Sequence, residues 1–550
     1  MNPIPDAPAR RWPAWWVLLP ALFILMQAWV LLHATPPGIP PDELAHMSYV
    51  RDAAASGLPD YAAGRINDSA QANYLTHPPL YYSVIGAVAA VGGFDPFSAY
   101  VPLRAASALF ATCAFALWLL LGRELGLRPG VQWLLALATA AVPMYGFLAG
   151  SVNNDTLAAV GPPLFLLGAA REFVSGRPGR SARMAMAAGL VVTVLTKATV
   201  AVFMVMFVAA SLAPLWRDLP ALLRRHAASV AWLGSASLLC AAWYAYAWIA
   251  HGSFLPAPGT LYAAAVPGDD PMVPARFAQR YAQIMFDRLG LVMSHAPFKP
   301  FTPAAEHVLQ LMFVLPVLAW LYARPRAARR GVVPAVARAT DAFGLAILGM
   351  ALVHWYVTYA GYRASGLLAG LQPRYFLFLL PGLWMPPFLL ETRRRPRRLF
   401  AVAFTACAIV AFWSSAPRLL ADQDQAIAQA RATTSASAPA AAPAARLQGH
   451  VDEADVTDGR ARLRGWAFDT RCMCAVDAVL VEAGGRALGR FGTGMPRPDV
   501  ATALGSAEAG TAGFEVVVED VPAGTGACDL ALTVEAADGS RLAMRPMGCN

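Results

Sequence analysis

Long apolar segments recur along most of this 550-residue chain and constrain its fold more than any other feature. Each has roughly the 17 to 25 residues that are needed to cross the hydrocarbon core of a bilayer. They recur from Trp12 to about Trp413. Because 57% of the residues are hydrophobic and only 14% are charged, the composition also lies outside the usual range of soluble domains. The sequence therefore predicts an α-helical polytopic membrane protein.

Arginine clusters between the apolar segments predict how the spans are oriented, because short loops rich in Lys and Arg stay in the cytoplasm. The clusters lie at 10–11, 123–128, 171–183, 217–225, 324–338 and 393–398. The apolar stretch after the first cluster lacks a small-residue cleavage site, so we interpret it as a retained span rather than a removed signal peptide. The N-terminus is therefore predicted to be cytoplasmic.

Eleven spans satisfy this arginine pattern. They are predicted near 12–33, 102–121, 131–149, 157–173, 183–196, 198–216, 227–250, 305–323, 341–361, 374–390 and 399–416. The apolar segment 80–94 is too short to span comfortably and would reverse every later loop, so an interfacial or re-entrant helix is predicted there. The spans 183–196 and 198–216 are short or tightly joined, which leaves the count open by one pair. An odd number of spans, starting from a cytoplasmic N-terminus, places the C-terminus outside the cytoplasm. The predicted location is the bacterial inner membrane, which the protein would cross several times.

A low-complexity Ala/Pro/Ser stretch over 431–446 indicates a linker between two domains. We predict a membrane domain over 1–416, a linker over 417–446 and an extracytoplasmic domain over 447–550. The last domain carries 9 Arg, no Lys and 15 acidic residues, a net charge of −6 against +9 for the whole chain. The membrane domain is therefore strongly basic.

The cysteines agree with an exported C-terminal domain. Four of the seven lie in the last 80 residues: Cys472, Cys474, Cys528 and Cys549. An even set in a small exported domain indicates two disulfides, with a Cys-only zinc site as the alternative. The “CMC” spacing disfavours a disulfide between Cys472 and Cys474. These two cysteines are therefore expected to pair with Cys528 and Cys549, in an order that the sequence does not assign. The remaining three lie singly within spans and are interpreted as small apolar residues.

Two adjacent carboxylates and a histidine lie directly behind the first span, in “PPDELAHMSYV” (40–50). A helix to about residue 55, closed by Gly57, would place Asp42, His46 and Tyr49 on one face with Glu43 beside them. His77 follows in the same outward loop. The alternative is a solvated helix start whose dipole favours the acids. Their position beside the bilayer favours a function instead.

Six stretches between about residues 38 and 390 resemble, in their order, the GT-C superfamily of integral-membrane glycosyltransferases, and within it a family of predicted bacterial membrane proteins. They are “PPDELAHMSYVRDAAASGLP”, “HPPLYYSVIGAV”, “VPLRAASALFA”, “SVNNDTLAA”, “LTKATV” and “QPRYFLFLLPGL”. The resemblance implies a polyprenyl-phosphate-linked sugar as donor and an acid in the first outward loop that acts as general base or binds a metal. Carried onto this chain, Asp42 is the candidate base and Glu43 its partner.

Three cations predicted at outer ends of spans are candidates to bind the phosphate of the leaving lipid: Arg374 in “QPRY”, Lys197 in “LTK” and Arg104 in “PLR”. The chain has 41 Arg and only two Lys, so a lysine at position 197 is unusual. The alternative is that these side chains extend to lipid headgroups.

Further polar residues are candidates for binding acceptor or metal. Asp155 in “NND” opens the fourth span, where the resemblance implies such a role and helix capping is the alternative. His46 and His77 suit a metal or a sugar. A divalent metal, Mg²⁺ or Mn²⁺, stays open as cofactor, and no other cofactor and no nucleic acid partner is expected.

An outward amphipathic helix is predicted where apolar residues recur at helical spacing: Phe277, Tyr281, Ile284, Met285 and Leu289. The resemblance implies that this helix is a lid or binds acceptor.

The C-terminal domain is predicted to be a small β-sandwich, because five of its segments alternate between apolar and polar residues. They are 461–469, 476–483, 486–492, 513–521 and 528–536. A “GWAFD” turn and an “RPDV” segment resemble β-domains appended to other bacterial glycosyltransferases. Trp466 is a candidate carbohydrate contact, with a core position as the alternative.

The predicted function is transfer of a sugar, with inversion, from a polyprenyl-phosphate donor to an envelope glycan or lipid-linked glycan outside the cytoplasm. One alternative is a transporter or flippase of a polyprenyl-linked glycan, which the charges at span ends disfavour because transporters bind substrate near mid-membrane. The other is a glycan ligase that uses a lipid pyrophosphate donor.

Overall fold

Helices form the long N-terminal part of the protein, and strands form its C-terminal part. The computed structural model describes residues 13–35, 40, 42–58, 77–255, 272–289, 303–327, 329, 331–365, 370–414, 447–457, 459–469, 474–484, 486–497, 500, 508–519, 521–522, 524–536 and 540–544. Helices and strands belong to two separate compact units. The linker predicted over 417–446 lies outside the described residues, so these domain boundaries stay a prediction.

The helical unit consists of eighteen helices in the part of the chain that is described. They are α1 (Leu18–Ala34), α2 (Glu43–Ser56), α3 (Leu80–Gly92), α4 (Tyr100–Glu124), α5 (Pro129–Ala140), α6 (Pro143–Ala149), α7 (Asp155–Ala158), α8 (Gly161–Ala169), α9 (Arg180–Thr196), α10 (Ala198–Leu212), α11 (Leu219–Arg225), α12 (Ala227–His251), α13 (Pro274–Asp287), α14 (Pro303–Ala323), α15 (Pro334–Ser365), α16 (Leu380–Trp384), α17 (Pro386–Leu390) and α18 (Arg394–Ser414). Short 3-10 turns extend several of them, and a separate 3-10 helix covers Pro373–Leu379.

Eight helical stretches of the described chain are long and apolar enough to cross a membrane, and a ninth is counted if α5 and α6 form one span. The polytopic helical fold is thus confirmed, but with fewer continuous spans than the predicted eleven. Helix α9 has only 17 residues, and α5 and α6 are bent by 82°. Helix α3, with 13 residues, is short, as predicted for the segment 80–94.

Prolines explain why the predicted span 374–390 is not one helix. A proline in a helix interior removes a backbone hydrogen bond and clashes with the preceding turn. Pro381, Pro386 and Pro387 divide this apolar stretch into a 3-10 helix followed by α16 and α17. Pro143 lies at the bend between α5 and α6 in the same way. Apolarity alone therefore predicted the location of these segments but not their continuity.

Glycines allow α8 and α9 to pack with their backbones close together. A Cβ atom at Gly189 would lie 2.5 Å from the backbone nitrogen of Phe165 and 2.7 Å from the carbonyl oxygen of Gly161. A Cβ at Gly161 would lie 2.1 Å from Thr193 Oγ1. Small residues permit such close contacts between helices in a membrane, where association depends on van der Waals packing. This contact fixes the position of the C-terminal end of α9, where Lys197 follows.

The 3-10 helix Pro373–Leu379 is held against α4 and α10. Trp118 Nε1 donates a hydrogen bond of 3.2 Å to the carbonyl oxygen of Phe378. The Phe378 ring packs edge-on against Phe203, with centroids 5.7 Å apart. A Cβ at Gly382 would lie 2.4 Å from the Trp118 ring, so the indole packs directly on the backbone there. Arg374 is therefore carried by a segment with fixed packing.

The C-terminal unit contains two four-stranded antiparallel sheets. One has the order β1-β2-β3 with β6 also paired to β2, and the other has the order β5-β4-β7-β8. The strands are β1 (Leu447–Thr457), β2 (Arg460–Asp469), β3 (Cys474–Ala475), β4 (Ala478–Ala483), β5 (Arg486–Phe491), β6 (Gly513–Val518), β7 (Leu530–Glu535) and β8 (Arg541–Met544). Buried residues from both sheets share one apolar core. The five predicted strands are confirmed, whereas β1, β3 and β8 were not predicted.

The cysteines in the spans carry free thiols: Cys113, Cys240 and Cys407. Cys474 and Cys528 are described and are not among these free thiols. Cys472 and Cys549 lie outside the described residues, so the two disulfides and their connectivity stay a prediction.

Replacing Gly189 by alanine is expected to destabilise the helical unit by roughly 1–3 kcal/mol, because the added methyl group would meet backbone atoms of α8. The matched control is Gly234→Ala in α12, where a Cβ would have nothing within 4 Å. That substitution should be neutral, or stabilising by up to about 1 kcal/mol. Thermal unfolding in detergent measures both, and an equal effect of the two changes would contradict the close contact.

Candidate active site

Asp42 has an unusual backbone conformation at the entrance to α2. Its φ of 63° makes it the one non-glycine residue with positive φ in the described part of the chain. An L-residue pays roughly 1–2 kcal/mol for this conformation, and aspartate is among the few types that adopt it. The Asp42 side chain makes no capping hydrogen bond to α2. Its carboxylate instead accepts a hydrogen bond from Arg374 Nη2.

Arg374 reaches Asp42 from the 3-10 helix that follows Pro373. Both side chains are largely buried, with 5% of Arg374 and 12% of Asp42 exposed. Asp42 is thus a shielded carboxylate that keeps limited access to solvent. The ion pair joins two segments that are 332 residues apart in the sequence.

Lys197 and Asp155 form a second ion pair nearby. Lys197 lies in an extended conformation at the junction of α9 and α10, and its Nζ atom lies 2.5 Å from Asp155 Oδ1. Asn154, the residue before α7, makes no capping hydrogen bond with its side chain. The Asp155 backbone N–H instead donates to Asn153 Oδ1 at 2.9 Å. The Asp155 carboxylate is therefore directed to the lysine.

The Tyr375 ring lies close to both cations. Lys197 Nζ is 5.1 Å from the centroid of its ring, and the Arg374 guanidinium carbon is 5.6 Å from it. Both distances allow a cation–π attraction. Two carboxylates, two cations and one ring therefore form a single group, which we call the charged cluster: Asp42, Asp155, Lys197, Arg374 and Tyr375.

His46 borders the charged cluster, and all four of its charged groups act electrostatically on the ring. His46 Nδ1 lies 2.9 Å from the Tyr82 hydroxyl, and the ring stacks on His77 with centroids 6.3 Å apart. Burial lowers the pKa of His46 to about 3. Burial also lowers the pKa of His77 well below its usual value. Both rings are therefore neutral at physiological pH.

Glu43 and Arg104 form a fully buried pair beside the charged cluster. Arg104 donates from Nε and Nη2 to the two Glu43 oxygens at 2.7 and 2.5 Å, and neither side chain has any exposed surface. Arg104 Nη1 also donates to the carbonyl oxygens of Leu32 and Thr35. The Val152 N–H donates to Glu43 Oε1 at 2.9 Å. This network links the end of α1 to α2, α4 and the loop before α7.

The buried pair changes the interpretation of two predicted site residues. Arg104 was a candidate phosphate ligand, but its guanidinium is enclosed by a carboxylate and two carbonyl groups. Glu43 was a candidate partner of the base, but both of its carboxylate oxygens accept hydrogen bonds from Arg104, and one also accepts from the Val152 N–H. We therefore infer that Glu43 and Arg104 position Asp42 rather than contact substrate.

The described residues offer no obvious metal site. They contain no group of three or more His, Cys, Asp or Glu side chains that could hold an ion. Asp42 and Asp155 each accept a hydrogen bond from a cationic side chain instead. The divalent metal that the sequence left open therefore stays a prediction, and we derive no chemical step through a metal.

The predicted amphipathic helix is α13, and it is linked to the charged cluster through a histidine that the sequence did not reveal. Tyr281 Oη lies 2.8 Å from His354 Nδ1 on α15, and His354 Nε2 lies 3.1 Å from the carbonyl oxygen of Gly370. The His354 ring also packs edge-on against Tyr375. The sequence signal for this residue was a histidine within an apolar span. Its contacts with Tyr281 and Tyr375 could not be predicted, because these residues are distant from His354 in sequence or lie on separate elements.

Trp466 on β2 is half-buried and packs against an apolar group around Phe468 and Ala512. This packing favours the core interpretation, and a carbohydrate contact at Trp466 stays a prediction.

A family model described as “Predicted membrane protein (DUF2142)” matches residues 60–383, more than half of the chain. No curated protein shows significant sequence similarity to this chain.

Two solved structures show a remote likeness. A crystal structure of ArnT from Cupriavidus metallidurans in the apo state is 16% identical, with a TM-score of 0.30, and the match covers 64% of this chain and 77% of that one. A structure of ArnT from the same organism bound to undecaprenyl phosphate is 19% identical, with a TM-score of 0.31 and coverage of 75% and 80%. A likeness at this level establishes neither a shared fold nor a shared activity.

Replacing Glu43 by glutamine is expected to cost roughly 3–5 kcal/mol of stability, because Arg104 would keep a buried charge without its counter-ion. The matched control is Asp341→Asn, which breaks a pair with Arg324 whose side chains are 31% and 38% exposed. That change should cost about 1 kcal/mol or less. Thermal unfolding in detergent compares them, and a Glu43→Gln loss no larger than the control would argue against a structural role for the pair.

Acid is expected to destabilise the folded protein through His46. Its folded pKa of about 3 lies below the unfolded value near 6.5, so the unfolded chain binds a proton that the folded chain does not. The contribution is complete above about pH 6.5 and is lost as the pH falls, by about 2 kcal/mol between pH 7 and pH 5.

Unfolding measured across this pH range should therefore depend less on pH in His46→Gln than in the wild type. His450→Gln, at an exposed histidine of β1, is the control and should leave the slope unchanged. An unaltered slope in His46→Gln would contradict the burial of a neutral ring.

Proposed function

The chain belongs to the DUF2142 family of predicted membrane proteins, and we propose that it is a membrane glycosyltransferase that moves a sugar from a polyprenyl-phosphate donor to an acceptor outside the cytoplasm. The family description names no activity, so support comes from the charged cluster and from the order of motifs that resembles the GT-C superfamily. The acceptor is an envelope glycan or a lipid-linked glycan.

The observation that carries this proposal is the pairing of Asp42 with Arg374. Asp42 occupies an unfavourable backbone conformation, and such conformations persist at functional sites where the surrounding structure imposes them. A cation holds the carboxylate in place, and a second cation, Lys197, lies 5.1 Å from the centroid of the Tyr375 ring. A base and two phosphate ligands are the groups that transfer from a lipid phosphate requires.

Asp42 would act as the general base. An acceptor hydroxyl gives its proton to the Asp42 carboxylate, and its oxygen forms a bond to the anomeric carbon of the donor. The bond from that carbon to the phosphate oxygen breaks, and its electron pair leaves with the polyprenyl phosphate. Attack opposite the leaving group inverts the anomeric centre.

Arg374 and Lys197 would bind the phosphate. A guanidinium group offers two parallel donors to phosphate oxygens, and positive charge placed where negative charge develops stabilises the transition state. In this structure both cations are paired with carboxylates. Donor binding would draw Arg374 from Asp42 to the phosphate, which leaves Asp42 free to accept a proton.

Neutral histidines would line the acceptor side. His46 and His77 stack beside the charged cluster, and uncharged imidazoles can donate and accept hydrogen bonds with sugar hydroxyls. Asp155 would orient Lys197 through its ion pair and could accept a bond from the acceptor. We propose that this end of the helical unit faces outward from a bacterial inner membrane, because every segment of the charged cluster was predicted outside.

A transfer assay with the purified full-length protein tests the proposal. It would use a panel of polyprenyl-phosphate sugars and an extracted envelope glycan, and it would detect released polyprenyl phosphate and a sugar-sized mass gain. Asp42→Asn should lower turnover roughly 10²–10⁴-fold, the usual contribution of a general base. Lys197→Gln and Arg374→Gln should each lower it roughly 10²–10³-fold, as for loss of one transition-state donor.

The variants at Asp42 are chosen for its backbone. Asparagine and glycine both tolerate positive φ, so Asp42→Asn and Asp42→Gly should fold and both show this loss of turnover. Asp42→Ala is unsuitable, because alanine disfavours positive φ and a loss of activity could then come from backbone strain as well as from the missing carboxylate. Asp341→Asn, in an ion pair of the same type outside the charged cluster, should keep full activity, and full activity of Asp42→Asn would exclude Asp42 as the base.

The same preparation separates the two alternative functions. Translocation of a labelled lipid-linked glycan in liposomes, without turnover of any donor, would favour a transporter. Turnover only with lipid pyrophosphate donors, and transfer of a whole glycan, would favour a ligase.

A further inference from the structure

A cavity of about 260 Å³ lies at the opposite end of the helical unit from the charged cluster. Arg104 lies near the start of α4, and the cavity is formed in part by Leu125–Arg128, which follow its last residue. Helix α4 has 25 residues and is therefore about 37 Å long, which is enough to cross the bilayer. The cavity and the candidate active site are therefore near opposite membrane surfaces.

The cavity has one basic side and one apolar side. Its basic residues are Arg128, Arg394 and Arg397, and its apolar wall is formed by Leu125, Leu127, Phe388 and Leu389. Glu391 is the one acidic residue in the lining. The Glu391 carboxylate accepts a hydrogen bond of 2.8 Å from the backbone N–H of Arg393. Positive charge thus exceeds negative charge around the cavity.

The three guanidinium groups repel one another, and Glu391 in the cavity lining offsets this repulsion in part. No described carboxylate lies within ion-pair distance of Arg128, Arg394 or Arg397, in contrast to Arg374 and Arg104. The positive charges of Arg128, Arg394 and Arg398 act on Arg397, and the single negative charge of Glu391 opposes them. A bound anion would remove this repulsion, and arginine is well suited to bind phosphate oxygens in pairs.

We propose that this cavity binds the phosphate head group of an anionic lipid from the cytoplasmic leaflet. Basic pockets between transmembrane helices on that side are suited to anionic head groups. The volume is below the roughly 300–1,000 Å³ of pockets for drug-sized ligands, so it suits a head group rather than a larger molecule. The apolar wall favours a lipid over free phosphate, because the first methylene groups of its chains would lie against leucine and phenylalanine side chains.

Two other arginines, which the positive-inside rule also places in the cytoplasm, lie outside this cavity. Arg224 and Arg225 on α11 are exposed and do not line the cavity. They are also predicted to be cytoplasmic, so they carry the same charge on the same side of the membrane. They provide the matched control for a specific site.

Native mass spectrometry of the full-length protein, delipidated in detergent, tests the proposal with phosphatidylglycerol and phosphatidylcholine as probes. The wild type should retain phosphatidylglycerol at least tenfold more strongly. Arg128→Gln/Arg397→Gln should lose most of this preference, whereas Arg224→Gln/Arg225→Gln should keep it. Equal losses in the two double variants, or no preference in the wild type, would overturn the proposal.

Two further measurements use the wild type alone, so they do not depend on the folding of a variant. A photoreactive phosphatidylglycerol should crosslink to 125–128 or 388–397, and labelling confined to other segments would contradict the site. Inorganic phosphate should not displace the lipid at equal concentration. Complete displacement would mean that the cavity takes free phosphate instead of a lipid.

Discussion

The buried ion pair between Glu43 and Arg104 determines what its neighbour Asp42 can do. With no exposed surface, the pair holds the first turn of α2 against α1, α4 and the loop before α7. Removing one partner from such a pair is far more costly than removing an exposed one, so α2 has little freedom to shift. Asp42, one residue earlier, has a positive φ, and its carboxylate accepts a hydrogen bond from Arg374. Two adjacent acids thus have different environments: one is enclosed within the protein, and the other keeps access to the charged cluster.

Charge balance is the second constraint. Asp42 and Asp155 neutralise Arg374 and Lys197 pair by pair, so the charged cluster carries no net charge before a ligand binds. Burying these four groups is tolerable because each lies within reach of its opposite charge. An incoming phosphate would compete with a carboxylate for a cation, and the released carboxylate would become basic at the moment when a proton must be accepted. Resting stability and the proposed chemistry therefore depend on the same two cations.

The sequence predicted the membrane class, the amphipathic α13 and five strands, because periodicity and apolar length are local properties. It also singled out Asp42, Lys197, Arg374 and Asp155 by residue type and position. It could not predict that Asp42 pairs with Arg374, because that contact joins segments 332 residues apart. Nor could it distinguish Glu43 from Asp42, because a single backbone angle decides which carboxylate is enclosed. Strand β1 was missed since only Leu447 and Val451 of its eleven residues are buried, which obscures the alternation.

The most direct test of this account is the affinity of purified wild type and Asp42→Asn for polyprenyl phosphate, measured alongside turnover. If Asp42 competes with the lipid phosphate for Arg374, the variant should bind polyprenyl phosphate more tightly than the wild type while its transfer activity is lost. Binding that weakens together with activity would contradict the exchange of Arg374 between carboxylate and phosphate, and with it the role proposed for Asp42.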